Sequence, residues 1–579
     1  MPGSKLVLPN WTFVLTVNGD SVGIAGIRLL FRLRWEIYPK GIFVAQYLVR
    51  IATAVSVLLS LAACGGGSGS LASSSPPPPP PSAWQPGVFL APSTFQDRCA
   101  APRSGTDPTN NNRPYTDMPG TILDENNFLR SFSDYSYLWY DEIVDQDPGL
   151  FNDPEVYFAQ LKTFATLPSG REKDPDSFHY AVDTLENFNL YQGGISAGYG
   201  ANWVLLSATP PREILVAYTE PNSPATNMAM PLLRGTRILS VDGVDINTNT
   251  QAGVNALNEG LFPSAVGVQH TFEVQDIGEA GSHTVTMTTA TITEAAVQNV
   301  RVIDTQAGDR VGYLTFNAHI SPAETELVDA IIALNNGPGI DDLIIDLRYN
   351  GGGYGDIASQ LAYMVAGAAN TAGKTFDLLQ FNDKHPATNP ITGQPIAPDP
   401  FHSTTQGFSL PSGNPLPTLD LSRVFVLTGS GTASASELFI NGLRGADVQV
   451  IQIGTTTRGK PYGFYEQPNC GTSYFTVQFR SVNNKNWGDY VEGFTPAPVD
   501  NGEDLVLGCQ VLDDYTKPLG DVSENRLEVA LAYQAGQGCI TPVSVSTGVL
   551  SKPGLPLDAT EGVIIQSPLK SNLIMRRPQ

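Results

Sequence analysis
The stretch that decides the fold is RVFVLTG (423–429), SGTAS (430–434), a helix-compatible ASELFINGLR (435–444) and VQVIQIGT (448–455), followed by TTRGK (456–460). An apolar strand enters a small-residue turn. A helix leaves it, and a second apolar strand follows. That order is a βαβ unit, whose functional loops lie at the carboxyl ends of the strands. Upstream, DLIIDLR (342–348) reads as a strand buried on both faces, and YNGGG (349–353) opens a helix at 356–366. VGYLTF (311–316) adds a strand, with a helix expected near 322–335. Residues 297–545 therefore read as an α/β core.

Ser434 stands where strand becomes helix. A helix start presents unpaired backbone N–H groups and partial positive charge, so a hydroxyl there has oxyanion donors at hand. The Ala435 amide is one candidate donor. An amide of the 351–353 glycine turn is the second, because glycine admits close approach of a carbonyl. A serine hydroxyl also needs a base. No histidine is near in sequence. Lys460, 26 residues on, returns to the same end of the sheet, and burial would lower its pKa toward neutrality. Each feature alone has a plainer reading: an N-cap serine, a turn, a surface lysine. Ser436 is a rival nucleophile, and Glu437 complements the helix dipole. His319 ends a strand and is assigned no role.

Residues 191–296 change character. ILVAYT (214–219), RILSVDG (237–243), HTFEVQD (270–276) and HTVTMTTATI (283–292) alternate as strands, so a small β-rich domain is expected. Residues 85–190 are expected to be mostly helical. ENNFLRSFSDYSYLWY (125–140) and VYFAQLKTF (156–164) carry aromatic faces that suit core packing.

The chain has 579 residues, with 33 Lys+Arg against 56 Asp+Glu, a net charge of −23. That balance excludes a nucleic-acid binder. A hydrophobic content of 41% with 15% charged residues excludes a wholly disordered chain. No run of 18 apolar residues occurs, which excludes a multispan helical membrane protein. IATAVSVLLSLAA (51–63) has the length of a signal-peptide apolar segment. It runs into Leu61-Ala62-Ala63-Cys64, which resembles a bacterial lipobox, with Cys64 the lipidation site. The unusually long leader suggests a true start near Val49. GGGSGSLASSSPPPPPPS (65–82) is a flexible then stiff tether. Of five cysteines, removal of Cys64 leaves Cys99, Cys470, Cys509 and Cys539. In an exported protein these suggest two disulfides, with three pairings open. No CxxC pair is present and the six histidines are scattered, so no metal site is expected.

Three ordered motifs carry a family resemblance: Asp346 to Gly353, Thr432-Ala433-Ser434-Ala435-Ser436-Glu437, and Thr457-Arg458-Gly459-Lys460. Together they resemble the S41 C-terminal processing (tail-specific) serine peptidases, in their lipoprotein branch. The GGISAG run (193–198), Pro221 to Ala225 and Arg234 to Gly243 resemble a circularly permuted PDZ domain. The resemblance implies a multidomain α+β chain: a ClpP/crotonase-like α/β protease core, a preceding β-rich PDZ-like domain and a helical N-terminal domain. It implies Ser434 as nucleophile, Lys460 as general base, and Ala435 with Gly352 as oxyanion amides. Gly194, Ile195 and Ser196 would bind peptide. No cofactor is implied. Three departures stand out. The Ser–Lys interval is one residue longer than usual, Pro461 stands where Gly usually follows the lysine, and Phe464 stands where an orienting Gln is expected, leaving Gln467 as an accessory candidate.

The expected organisation is a signal region (1–63), a lipidated tether (64–84), a helical domain (85–190), a PDZ-like domain (191–296), an S41 core (297–545) and a tail (546–579). The expected function is an extracytoplasmic serine endopeptidase cleaving unfolded or C-terminally tagged proteins. It would be anchored by lipid in a bacterial cell envelope, facing the periplasm or the outer membrane. The alternative is a catalytically inactive, membrane-tethered peptide-binding scaffold. Acyl-CoA chemistry, also hosted by crotonase-like cores, is disfavoured because no basic cluster for the CoA phosphates is visible.

Overall fold
The computed structural model describes residues 84–207 and 210–542 and two short strands at 563–565 and 573–575. The signal region, Cys64 and the tether lie outside the described residues. The chain divides into two units, Met1–Pro81 and Ser82–Gln579, and only the second is described below.

The core is a seven-stranded sheet ordered Val297–Asp304, Arg310–Phe316, Asp342–Asp346, Arg423–Thr428, Gln449–Gly454, Leu505–Gln510, Thr495–Ala497. The first pair is antiparallel and all others are parallel. Alternation along the strands explains their nearly continuous apolar sequence. Val424, Val426, Leu343 and Ile345 face one layer, with Leu438 and Phe439 of the helix Ala435–Gly445 and with the helix Gly355–Thr371. Phe425, Leu427 and Ile344 face the other, against Leu527, Val529 and Ala530 of the helix Asn525–Gln534. Three carboxyl ends of parallel strands therefore open onto 349–353, 430–434 and 455–460 at one rim.

The second domain is an antiparallel sheet ordered His283–Thr288, Gln269–Gln275, Arg237–Val241, Glu213–Thr219, Ala201–Ser207, Val563–Ile565. Asp242 and Gly243 both have positive φ (50° and 77°), which an Asp-Gly hairpin turn requires before the short strand Val244–Asp245 pairs back. Trp203, Val216, Ile238 and Phe272 fill its core. The expected single segment 283–292 is two strands. Ala290–Thr293 leaves this sheet to pair with Ile195–Gly198.

The N-terminal region is less helical than its aromatic spacing suggests. The helix Ile122–Ser136 has a Thr121–Asp124 capping box. It stops before Tyr137, whose hydroxyl donates to Asp174 at 2.6 Å, while Leu138 N donates to Val477 O. The helix Pro154–Phe158 ends early, and Lys162 instead donates to Asp174 O (2.9 Å) and Asp176 (2.6 Å). Tertiary contacts override helical spacing here. Phe128, Leu129 and Phe132 pack on Tyr157, Phe158 and Tyr474.

Disulfides join Cys99 to Cys470 and Cys509 to Cys539. The first fastens the N-terminal region to the core across 371 residues. Both fit an oxidising compartment. Among the described residues no helix is long and apolar enough to cross a membrane, and no group of three His, Cys, Asp or Glu side chains could hold a metal ion.

Candidate active site
The rim brings Ser434 and Lys460 into one buried corner. Ser434 begins the helix Ala435–Gly445 with φ 62° and ψ −114°. A side-chain-bearing residue held there is strained, and such strain gathers at functional positions. Its hydroxyl is fully buried and makes no hydrogen bond among the described residues. Ser436 differs: its hydroxyl donates to Asn350 O at 3.0 Å, which commits it to holding the turn. The Ala435 amide occupies the first helical position, where no intrahelical acceptor exists.

Lys460 is also fully buried. Its Nζ lies 4.4 Å from the Phe178 ring centroid and 4.7 Å from that of Phe464. Phe464, at the expected place of an orienting amide, thus supplies a ring wall. Burial pushes the lysine pKa well below its ordinary value. Nearby Asp174 and Glu437 oppose the shift, and Arg458 adds to it. Asp174 is itself pushed up to about 6 by burial, with Lys162 and Lys460 pulling the other way.

Glu437 does more than complement the helix dipole. One carboxylate oxygen accepts from the backbone N–H of both Ser434 and Lys460, at 2.8 Å each. The other accepts from Gly459 N (2.7 Å) and Thr457 Oγ1 (2.6 Å). One buried side chain thus hangs the serine turn and the lysine loop from a shared point. Burial raises its pKa, while these bonds favour its anion.

Asn350 organises the glycine turn. Its Oδ1 accepts from Gly352 N at 3.0 Å and its amide nitrogen donates to Phe316 O at 2.9 Å. The Gly352 amide, the expected second oxyanion donor, is therefore turned onto Asn350 in this structure. His319 is a core residue: Nδ1 lies 3.1 Å from Asn350 Oδ1, and burial lowers its pKa to about 3. Gly353 cannot carry a side chain, because a Cβ would sit 2.2 Å from His319 O.

Gln467 lies in the strand Gln467–Asn469, paired with Tyr474, its amide donating to Pro468 O at 3.4 Å. Gly194 caps the helix Thr184–Gly193 with φ 61°. Ile195 and Ser196 follow in strand and line a cavity of about 640 Å³ with Tyr199, Trp203 and Glu294. The Ser196 hydroxyl donates to Glu294 at 2.5 Å. Sequence reasoning missed Asn350, Asp174 and Phe178 as parts of the site. Asn350 stood inside a quoted motif, whereas nothing in the sequence links 174–178 to the rim.

Residues 310–478 match the model of peptidase family S41. Among solved structures, the chain is similar to a Bacteroides fragilis protein assigned to the S41 proteases, with TM-score 0.50 and 22% identity over 73% of this chain and 98% of that one. At that identity the likeness shows the shared fold. It is also similar to the photosystem II D1 C-terminal processing protease, with TM-score 0.38 and 17% identity over 68% of this chain and 94% of that one. No curated protein matches the chain. The family match supports a serine peptidase.

Proposed function
We propose that this chain, whose residues 310–478 match the model of peptidase family S41, is a serine endopeptidase working through a Ser434–Lys460 dyad. The observation that carries the reading is the pairing of a buried, unbonded hydroxyl on strained backbone with a buried lysine of lowered pKa, both suspended from Glu437. Ser434 Oγ attacks the scissile carbonyl while its proton passes to the neutral Nζ of Lys460. The Ala435 amide stabilises the oxyanion, joined by the Gly352 amide once the turn releases it from Asn350. Lys460 returns the proton to the departing amine. A water molecule, deprotonated by Lys460, then frees the acyl group from Ser434.

The serine and lysine are not hydrogen-bonded here, and such contacts often tighten only around substrate. Substrates are unfolded or C-terminally tagged polypeptides, with the second domain acting in the PDZ manner and Gly194, Ile195 and Ser196 near its peptide site. Gln467 is an accessory at most, since Glu437 already orients the lysine loop. The enzyme works outside the cytoplasm, a reading its two disulfides support, and is held there by lipid on Cys64, a reading the lipobox-like Leu61 to Cys64 supports. The test is cleavage of casein by wild type, Ser434→Ala and Lys460→Ala. Loss in both variants supports the dyad. No cleavage by folded wild type, with or without added C-terminal peptides, supports the scaffold reading.

A further inference from the structure
The chain's own C-terminal segment lies in two places that suit an incoming peptide. Val563–Ile565 adds as an antiparallel strand to the edge strand Ala201–Ser207 of the second domain, in register Val563↔Leu205 to Ile565↔Trp203. Leu573–Met575 then fills the slot between Gly353–Tyr354 and Tyr462–Tyr465, parallel to both. One wall of that slot begins just after the Gly352 oxyanion amide, and the other two residues after Lys460. The register sets Leu573 opposite Gly353 and Ile574 opposite Tyr354 and Phe464. A strand in this slot therefore runs away from the catalytic corner, and a peptide extended from its N-terminal end runs toward Gly352. Ile574 anchors the strand: it is 4% exposed and joins the main core.

Both segments bind by strand addition, the mode in which main-chain hydrogen bonds give affinity and alternate side chains give selection. VII (563–565) and LIM (573–575) are apolar and β-prone, as such recognition favours. The catalytic corner beside them is in a resting arrangement. Ser434 Oγ is unbonded and the Gly352 amide is turned onto Asn350.

We propose that the slot between Gly353–Tyr354 and Tyr462–Tyr465 is a substrate track for extended apolar peptide, and that the strands Leu573–Met575 in the track and Val563–Ile565 at the domain edge occupy both in cis, holding the enzyme latent. This rests on the peptidase reading above. An unfolded polypeptide must displace the tail to reach Ser434.

The test uses the full chain with a site-specific protease sequence inserted within 546–560, so that the tail is severed only after folding. Severing and removing the tail fragment raises kcat/KM on casein by about ten-fold or more, the factor expected if the tail fills the track nine-tenths of the time. A synthetic peptide of residues 561–579 then inhibits competitively, and the same peptide carrying Ile574→Asp does not. In the uncut chain, Ile574→Asp raises activity in the same direction. Unchanged or lower kcat/KM after verified release of the fragment overturns the proposal, as does failure of the peptide to inhibit. Fluorescent peptide binding to severed Ser434→Ala protein, followed by anisotropy and displaced by casein, separates the two readings. Peptide binding without cleavage by any form sinks the peptidase and keeps the track. Cleavage without peptide binding does the reverse.

Discussion
Two buried polar regions flank the strand Asp342–Asp346 and its turn, and they are built on opposite plans. In one, Arg348 donates to Asp346 (2.9 Å), Asp513 (2.6 Å) and both oxygens of Glu524 (2.8 and 2.9 Å). Arg234, from the second domain, donates to Asp513 and to the Tyr349 hydroxyl, each at 2.5 Å. These charges hold one another: Arg348 is raised well above its ordinary pKa, and Asp513 is held below its own by Arg234 and Arg348. In the other region, a buried hydroxyl has no bond and a buried lysine faces two rings. The first arrangement fixes the turn and ties the second domain to it. The second leaves the Ser434 hydroxyl unbonded on strained backbone, a feature that gathers at functional positions.

Breaking the second region has the largest effect on activity. Lys460→Met lowers kcat/KM by about 10³-fold, within the span for loss of a general base. Its melting temperature stays level or rises, because an apolar side chain suits the pocket; a large fall would contradict the account. Breaking the first region shows as stability instead. Arg348→Met strips Asp346 and Glu524 of their guanidinium hydrogen bonds, Asp513 keeping Arg234, and costs about 3–5 kcal/mol in denaturant unfolding. A loss of activity with no loss of stability would place Arg348 in the catalytic machinery.

Another buried acid sharpens the contrast through pH. Asp377 accepts from Ser481 at 3.0 Å and is pushed up to about 8, chiefly by burial and then by Asp399. Its folded pKa lies above the unfolded one, so its contribution is complete at acidic pH and is lost as pH rises toward 8. Asp377→Asn removes that loss, so its melting temperature gains on wild type between pH 5 and pH 8. A constant difference across that range would remove Asp377 as the source.

The smallest effect is at Asp174. Its charge raises the Lys460 pKa, so Asp174→Asn moves the acid limb of kcat/KM to lower pH. Because Asp174 titrates at about 6, wild type and variant converge below that pH. A shift to higher pH would contradict the assigned sign.

The core was legible because its strands carry apolar residues on both faces and its turns carry glycine and small residues between them. Ser434, Lys460 and the glycine turn follow from that order. The N-terminal region was less legible. Its aromatic spacing suits a helix, but Tyr137 and Lys162 are drawn to Asp174, beyond the three- and four-residue spacing that helix periodicity reads. Glu437 was visible as a first-turn acid, but its reach to the backbone of residue 460 depends on how the loop returns. Phe178, beside Lys460, comes from a segment no local pattern connects to the rim. The same holds for the strand at 573–575, whose partners lie more than 100 residues away.

The central claim is that Ser434 is a nucleophile activated by a neutral, buried Lys460. Its most direct test is the rate of labelling by a fluorophosphonate across pH, with the labelled residue located by peptide mass mapping. The account predicts label on Ser434, at a rate that rises with pH through a single ionisation below the ordinary lysine value of 10.5 and collapses in Lys460→Met. Label on Ser436, or label on Ser434 at a rate indifferent to Lys460→Met, would contradict it.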